Sequence, residues 1–415
     1  MSSANSKVRW KRTAAVSLSV SVTMSMLAAC GGDDGASGSD GGTYKVGFLG
    51  SLSGPLAPVG TAMLGGVELA INDANENGGV NGRQIELVTE DDETDPAAGI
   101  TAARSLLSQD VLMVAGGNIS TVVEGVLPTL EREKVAFLAQ AASPAILDPV
   151  KETMFQIDQT SSSNAQPMVE FATELLGKDD FTVGIGPVES PAGEAWGDNV
   201  EQLESDKGFT ISSRVTLPVS PGDITAQAQR LIDGSPDMLL LQAPDGVLVP
   251  LAQKIRDLGF SGPIANFSYG AATTTLETIA DKDLYVLRTA AQYNTESTEP
   301  GTQKFVELVD DAKDQEVAKA ATQYTQGYLI GLMVVGALEK CGEECDRAAM
   351  VDTLNDIDVE TDGFTSNPLA FTAEDHLATK SGVFYSFDGE TIIPALDGKP
   401  FAATVYSLDA EVPAS

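Results

Sequence analysis

The chain has 415 residues, enough for two domains, and carries 60 Asp and Glu against 25 Lys and Arg, a net charge of −35. This acidity argues against a nucleic-acid-binding protein, because affinity for phosphate comes largely from cationic side chains, and it disfavours adhesion of the protein surface to an anionic membrane. With 42% hydrophobic and 20% charged residues, the sequence predicts a globular fold.

The N-terminal segment has the pattern of an export signal. Four cations lie within residues 7–12, an uncharged segment follows at 13–29, and it ends in Leu-Ala-Ala before Cys30. The pattern predicts a signal peptide over residues 1–29. The residues around Cys30 resemble the bacterial lipobox, which implies a lipidated Cys30 as the membrane anchor. A signal anchor or an ordinary signal peptide is the alternative.

A flexible tether is predicted to follow. Residues 30–42 are rich in Gly, Ser and Asp and, after Cys30, contain no apolar side chain larger than alanine. No later apolar run is long enough to span a bilayer. A lipid on Cys30 would therefore be the only membrane anchor.

Residues 46–96 predict a strand, a loop, a helix and a second strand. A short apolar run opens the segment, apolar residues recur at three-to-four spacing over 61–76, and a second apolar run lies at 85–88. The strands of such a unit are parallel, and ligands bind at the carboxyl ends of parallel strands. The loop at 51–60, which contains Ser53, is therefore the first candidate site.

Strand and helix alternate to about residue 160, and again beyond the polar segment 159–164. The first stretch continues with helices at 98–108 and 122–133, the second of them interrupted near Pro128. Later helices are predicted at 168–176, 197–207, 224–232, 247–258, 303–312 and 322–339, and strands at 182–185, 210–216, 238–242, 264–267, 284–289, 383–387 and 404–408. The pattern predicts an α/β protein with two doubly wound parallel-sheet lobes.

The sequence lacks the motifs of common enzyme sites. It has no GxxxxGK phosphate loop, no HExxH and no GxSxG. Its one histidine, His376, lies in an acidic segment and is predicted to be an exposed loop residue. The acidic run at 90–95 could bind Ca²⁺, but a solvated strand end is the preferred interpretation. We therefore predict no catalysis, no cofactor and no metal.

Cys341 and Cys345 stand four residues apart after a predicted helix. Outside the cytoplasm, this spacing predicts a local disulfide that closes a very small loop and stabilises only its surroundings. Two thiols are too few for a metal site, since the histidine is distant in sequence.

Polar side chains follow three predicted strands of the first lobe. Because the carboxyl ends of parallel strands meet at one edge of the sheet, these loops should converge there. Hydroxyl groups and backbone N–H groups at helix N-termini can hold a carboxylate, although any one of these residues could instead be a helix cap. The candidates are Ser53, Asn118, Ser120, Thr121 and Ser143.

Two ordered segments carry a family resemblance: LSGPLAPVG at 52–60 and INDANENGGVNGRQIELVTEDDETDP at 71–96. They resemble the first lobe of bacterial ABC-transporter solute-binding proteins of the branched-chain amino acid (Leu/Ile/Val) type. The resemblance implies a type I periplasmic-binding-protein-like fold whose lobes are joined by a three-segment hinge. The implied lobes are 43–160 with 290–380 for lobe 1, and 161–289 with 381–415 for lobe 2.

The resemblance also implies roles for single residues. Ser120 lies in a Gly-rich loop like that of the family, and Trp196 matches an aromatic residue that presses on the ligand from the second lobe; covering the lobe surface is the alternative for Trp196. The family's Ala-Thr-x-Pro loop corresponds to Gln-Ala-Ala-Ser-Pro here. This places Ala141 and Ala142 in the candidate site and leaves Ser143 to supply the hydroxyl.

The expected ammonium partner is changed. Tyr269 stands where amino-acid binders carry a Glu for the ligand ammonium. A buried ammonium needs an anion, which Asp245 could supply. Otherwise the ligand need not be an α-amino acid, and short amides, urea and aromatic acids remain open.

Taken with the resemblance, the sequence predicts a lipid-anchored, monomeric substrate-binding protein of an ABC importer. It would capture a small amino acid or a related carboxylate or amide between its lobes by hinge closure, and deliver it to permease subunits. The alternative is a ligand-sensing subunit of a membrane receptor with the same fold.

Overall fold

The computed structural model describes residues 42–141, 143–220, 222–267 and 273–403. Several predictions fall outside these residues: the signal peptide, the lipidation of Cys30, the tether up to residue 41, the roles of Ala142 and Tyr269, and the strand at 404–408. In the part of the chain that is described, no helix is long and apolar enough to cross a membrane.

The first part of the chain builds a five-stranded parallel sheet. Its strands are β1 (Tyr44–Gly50), β2 (Ile85–Asp91), β3 (Met113–Gly116), β4 (Ala136–Ala139) and β5 (Met154–Gln156). They pair in the order β2-β1-β3-β4-β5. The order changes direction between β1 and β3, which is where open α/β sheets bind ligands.

Three helices connect these strands: α1 (Ala57–Glu76), α2 (Pro96–Ser108) and α3 (Ser120–Arg132). The predicted interruption near Pro128 is wrong, because α3 runs through this residue. A proline removes one helical hydrogen bond, but five apolar side chains of α3 are buried on both sides of it, and their packing outweighs that loss. These side chains are Val122, Val123, Val126, Leu127 and Leu130.

A second sheet follows. Its parallel strands are β6 (Thr182–Gly186), β7 (Thr210–Arg214), β8 (Met238–Leu241), β9 (Ile264–Asn266) and β10 (Leu284–Arg288), in the order β7-β6-β8-β9-β10. The helices are α4 (Ala165–Leu176), α5 (Pro191–Lys207), α6 (Thr225–Leu231), α7 (Asp245–Asp257) and α8 (Thr273–Ile279). Helix α5 begins earlier than predicted, because Ser190 caps it by accepting the Gly193 N–H at 3.0 Å and Pro191 suits its first position.

The remaining chain returns to the first sheet and then to the second. It contributes α9 (Pro300–Asp311), α10 (Gln315–Ala320), α11 (Thr322–Cys341) and α12 (Arg347–Leu354), and the antiparallel pair β11 (Asp356–Val359) and β12 (Leu369–Thr372). Strand β13 (Ser381–Phe387) then pairs antiparallel with β10. The short strands β14 (Ile392–Pro394) and β15 (Phe401–Ala402) pair with β13.

Helices α1 and α11 pack against each other at very short range over the first sheet. A Cβ atom added at Gly327 would lie 2.0 Å from the Met63 carbonyl oxygen, and one at Gly66 would lie 2.0 Å from the Tyr324 carbonyl oxygen. Only glycine permits this approach of the two backbones. Glycines on both helices therefore allow this close packing.

The chain passes between the two sheets three times: after β5, after β10 and before β13. Asp158 links two of these crossings. Its carboxylate accepts hydrogen bonds from Gln159 N at 2.8 Å, from Gln326 Nε2 of α11 at 3.0 Å and from Thr379 Oγ1 of the third crossing at 3.0 Å. The first crossing is thus tied to α11 and to the third crossing.

His376 is a buried residue, so its prediction as an exposed loop histidine is wrong. Only 2% of its surface is exposed, and its ring stacks on Phe155 with centroids 4.2 Å apart. Nδ1 lies 2.7 Å from the Met154 carbonyl oxygen and Nε2 lies 2.8 Å from Asn355 Oδ1. Burial lowers the pKa of His376, which favours the neutral ring.

Candidate functional site

The predicted polar loops of the first sheet do come together. Asn118, which follows β3, accepts the backbone N–H of Ser51 after β1 through Oδ1 at 3.3 Å. Ser120, the first residue of α3, accepts the backbone N–H of Ser143 after β4 through Oγ at 3.1 Å. Three successive loops are therefore linked at the carboxyl edge of the sheet, as parallel strands require.

The other first-lobe candidates differ in exposure. Ser53 and Thr121 are exposed, and the backbone N–H of Ser53 donates to Asp91 Oδ1 at 3.2 Å. Ala141 is buried, and its N–H and carbonyl groups both bond the Gln156 side chain, at 3.1 and 2.8 Å. Ser53 and Thr121 are thus open to a ligand, whereas the backbone of Ala141 is engaged within the lobe.

Trp196 lies in the hydrophobic core of the second sheet. None of its surface is exposed, and it belongs to a cluster that includes Phe171, Phe181 and Val200. In this structure it therefore has no surface open to a ligand, contrary to the prediction that it presses on one. Its burial follows from the early start of α5, which turns this helical position towards the sheet rather than leaving it at a loop end.

A cavity of about 430 Å³ lies where the chain makes its second crossing. The crossing segment Ala291–Ser297 forms much of its wall. The helices over the first sheet contribute Thr302 of α9 and Lys319 of α10, and the second sheet contributes Arg288 of β10 and Tyr385 of β13. Elements packed on both sheets thus line one cavity, whose size suits a small ligand.

Arg288 lines this cavity and also a smaller one of about 20 Å³. The smaller cavity is bounded by Asp158 of the first crossing, Phe267 after β9 and Gln326 of α11. Arg288 is therefore common to two cavities that are lined by elements of both sheets. Ser53, Asn118, Ser120, Thr121 and Ser143 line neither cavity.

The guanidinium of Arg288 is buried without hydrogen-bond acceptors. Only 6% of the residue is exposed, and among the described residues none accepts a hydrogen bond from Nε, Nη1 or Nη2. Burial lowers the pKa of Arg288 to about 10, and Tyr385 and Asp245 oppose this by favouring the charged form. Arg288 is therefore cationic at neutral pH.

Two elements bring groups towards Arg288. Tyr385 pairs with Val286 in the antiparallel β10–β13 ladder, and residues two apart in a strand share a face, so Tyr385 and Arg288 lie on the same side of the sheet. Asp245, the first residue of α7, is half-buried and its negative charge acts on Arg288. The predicted ammonium partner therefore already interacts electrostatically with a cation.

Arg288 is not among the residues predicted from the sequence. Its only local signal is a cation at the carboxyl end of the apolar strand Leu-Tyr-Val-Leu-Arg. Thr302, whose hydroxyl is also buried with no hydrogen-bond partner among the described residues, carries no signal at all. Both residues are recognised as candidates only from the structure, in which their polar groups are buried without a partner among the described residues.

Two smaller predictions can be compared with the structure. Cys341 and Cys345 form the predicted disulfide at the end of α11. Within residues 42–403, apart from the undescribed positions, no group of three or more His, Cys, Asp or Glu side chains is arranged to hold a metal ion.

Two parallel-sheet lobes, three crossings and a cavity at their junction define a bilobed binding protein. The sequence model of the periplasmic binding protein family matches residues 43–391, so the chain belongs to that family. The predicted family and the α/β fold class are thereby confirmed. Periplasmic binding proteins are extracytoplasmic binding proteins and not enzymes, which agrees with the absence of enzyme motifs.

Two curated relatives carry names of amino-acid binders. The "Leu/Ile/Val-binding protein homolog 7" of Brucella suis is 26% identical over 332 residues, which are 76% of this chain and 82% of that protein. The "Leucine-, isoleucine-, valine-, threonine-, and alanine-binding protein" of Pseudomonas aeruginosa is 25% identical over 190 residues, 46% of this chain. The chain spans only about half the length of that second relative (50%).

Solved structures show the same fold at lower identity. An ABC transporter substrate-binding protein from Sphaerobacter thermophilus has a TM-score of 0.75 at 21% identity, covering 88% of this chain and 100% of that one. A branched-chain amino acid ABC transporter protein from Thermus thermophilus, with bound valine, has a TM-score of 0.74 at 16% identity. The match covers 88% of this chain and 98% of that one. A solute-binding protein from Rhodopseudomonas palustris, in complex with 3,4-dihydroxybenzoic acid, has 0.69 at 20% identity, covering 87% and 97%.

Proposed function

We propose that this protein is the substrate-binding component of an ABC importer and captures a small amino acid or a related carboxylate or amide between its two lobes. The observation that carries the proposal is the cavity of about 430 Å³ lined by elements packed on both sheets at the second crossing. A ligand in such a place contacts both lobes at once and so favours their closure about the crossings.

The named ligands of its relatives and neighbours support this substrate range. The curated relatives are named for aliphatic amino acids, and two structural neighbours hold valine and 3,4-dihydroxybenzoic acid. All of these small molecules carry a carboxyl group. The divergence among the neighbours agrees with the replacement of the family's Glu by Tyr269, so we propose a ligand that need not be an α-amino acid.

We propose that lobe 1 comprises residues 43–160 and 290–380, and lobe 2 residues 161–289 and 381–415. The linked loops of the first sheet, with Ser53, Asn118, Ser120, Thr121 and Ser143, would form the first-lobe wall of the open cleft. Asp245 and Tyr269 would form part of the second-lobe wall. The network of Asp158 at two of the crossings supports a hinge at these segments.

We further propose that the protein acts as a monomer and is held at the membrane by a lipid on Cys30. The test for the anchor is fractionation of cells that express the wild type or Cys30→Ser. The wild type should sediment with membranes and the variant should not. If both forms sediment alike, the anchor is something other than a lipid on this cysteine.

A ligand screen tests the function. Thermal unfolding would be measured with amino acids, their amides, urea and aromatic carboxylates. A ligand that binds only the native state at 100-fold over its Kd stabilises by about 2.7 kcal/mol. A hit should also reduce the radius of gyration in solution scattering, because the lobes close. Binding without any such reduction would contradict the hinge mechanism.

A ligand-sensing subunit of a membrane receptor is the alternative function for the same fold. The two are separated by uptake of the identified ligand in cells that lack this protein. Lost uptake supports transport. Normal uptake together with a lost transcriptional response to the ligand supports sensing.

A further inference from the structure

Arg288 holds a positive charge in a place where the described chain gives it no hydrogen-bond acceptor. The residue is 6% exposed, and Nε, Nη1 and Nη2 are all buried without a partner among the described residues. A buried charge is unfavourable unless it is paired and hydrogen-bonded.

Among the described residues, the titratable groups around Arg288 supply charge but no hydrogen bond to its guanidinium. Asp245 of α7 contributes a negative charge but no hydrogen bond to Arg288, and Tyr385 of β13 is a phenol whose pKa is raised by burial. Asp158 of the first crossing lines the smaller cavity, and its two carboxylate oxygens accept hydrogen bonds from Gln159, Gln326 and Thr379. On the rim, the exposed Glu277, Glu296, Glu299 and Glu316 accompany Lys319.

The shape of the Arg288 guanidinium narrows the chemical class of the ligand. A guanidinium presents its N–H donors as a planar fork that matches the two oxygens of a carboxylate. The hydroxyl of Thr302, buried and also without a partner among the described residues, lines the same cavity and can donate to the same group. Arg288 and Thr302 therefore line the same space of about 430 Å³, one from the second sheet and the other from a helix over the first.

We propose that the guanidinium of Arg288 binds the carboxylate of the ligand, so that this protein selects molecules with a carboxylate over their amides. The inference rests on the proposed function as a ligand-binding protein. It differs from the sequence expectation, in which hydroxyl and N–H groups of the first-sheet loops hold the carboxylate. The Ser120 hydroxyl accepts the Ser143 N–H and has a single O–H to donate, whereas Arg288 has five N–H donors and a positive charge.

An acid-and-amide comparison tests the proposal. Thermal unfolding and calorimetric titration of the purified protein would use two matched pairs, leucine with leucinamide and benzoate with benzamide, at constant ionic strength. Leucine and benzoate distinguish an amino acid from a simple organic acid, since only the first carries an ammonium. At least one acid should bind and its amide should not.

The variants are Arg288→Met, Arg288→Lys and Ser120→Ala. Arg288→Met keeps the apolar stem and removes the charge, so it should weaken acid binding by about 30-fold or more. Its melting temperature should stay the same or rise, because replacing a buried charge with an apolar side chain is often neutral or stabilising. Arg288→Lys keeps the charge without the planar fork, so its affinity for the acid should lie between those of the wild type and Arg288→Met. Ser120→Ala should keep the acid–amide difference.

The outcomes separate the two proposals. Equal binding of an acid by the wild type and Arg288→Met, or equal binding of acid and amide by the wild type, would overturn the role of Arg288 and leave the binding function intact. Loss of the acid–amide difference in Ser120→Ala, with its retention in Arg288→Met, would move the carboxylate to the first-sheet loops. Binding of none of the four compounds would count against both proposals.

Discussion

Asp158 Oδ2 accepts a hydrogen bond from Gln326 Nε2 at 3.0 Å, across 168 residues of sequence. The same carboxylate accepts Thr379 Oγ1 through its other oxygen. One buried side chain thus joins the first crossing, helix α11 and the third crossing. A carboxylate is suited to a position surrounded by several hydrogen-bond donors, because both of its oxygens accept hydrogen bonds.

Asp158→Ala should therefore lower the free energy of unfolding by about 2–4 kcal/mol, since it leaves the Gln326 amide and the Thr379 hydroxyl buried without their acceptor. Urea unfolding measures this change. The control is Asp206→Ala, an exposed aspartate at the end of α5, where about 0.5 kcal/mol or less is expected. Equal effects at the two positions would mean that the network at the crossings contributes no stability.

Gly327→Ala should lower the free energy of unfolding by about 2 kcal/mol or more, because the added Cβ would lie 2.0 Å from the Met63 carbonyl oxygen and force α1 and α11 apart. Gly125→Ala in α3 is the matched control, since its Cβ would make an ordinary 3.5 Å contact with Pro96. That control should be neutral or stabilising by about 1 kcal/mol, as alanine is the better helix former. Melting temperatures of the two variants should move in opposite directions, and parallel decreases would contradict the close helix pair.

Trp196→Ala should lower the free energy of unfolding by about 3–5 kcal/mol, because it empties a large volume in the core of the second sheet. Trp196→Phe should lose less. The fluorescence difference between the wild type and Trp196→Phe should be blue-shifted and resist acrylamide, as expected of an indole without solvent contact. A large loss of ligand affinity in Trp196→Phe at unchanged stability would instead mean that Trp196 contacts the ligand in the cleft.

The stability of the protein should fall on mild acidification through His376. Burial lowers its pKa in the folded protein, so the neutral ring is favoured by folding. This contribution is fully present above the unfolded pKa of about 6.5 and is lost as the pH falls through the lower folded value. Of its charged neighbours, Asp375 raises the pKa and Lys380 lowers it.

The comparison variant is His376→Gln, which carries no charge at any pH. The difference in unfolding free energy between wild type and variant should be largest above pH 7 and shrink steadily below pH 6.5. Carboxylates titrate in both proteins and cancel in this difference. A difference that grows on acidification would mean that the folded protein holds the charged ring.

The fold could be predicted because it rests on local patterns. The apolar runs of β1 and β8 and the three-to-four spacing in α1 are visible in short windows of sequence, and strand–helix alternation then implies parallel sheets. Helix starts were less accurate, since α1 begins at Ala57 and α5 at Pro191. Both helices have a proline in the first turn, and α5 also has the Ser190 cap; such residues look like part of a loop.

The site could be predicted only in part. The contacts between Asn118 and the loop after β1, and between Ser120 and Ser143, follow from strand ends meeting at one edge. The partners of His376, and the parts of the cavity around Arg288 other than the crossing segment that follows it, come from residues distant in sequence. No local sequence pattern indicates such partners. His376, a polar residue in an acidic segment, was therefore predicted to be exposed to solvent.

The pairing of α1 with α11 has a consequence for how the chain is made. The apolar face of α1 is complete once residue 76 has been synthesised, but the helix that covers it ends at residue 341. Until then Met63, Val67 and Ile71 have no partner on that side, and the first sheet cannot reach its native packing. A nascent chain that ends anywhere between these helices therefore exposes the apolar, glycine-containing face of α1 to solvent. Its escape from aggregation depends on chaperones or on rapid completion of the C-terminal part.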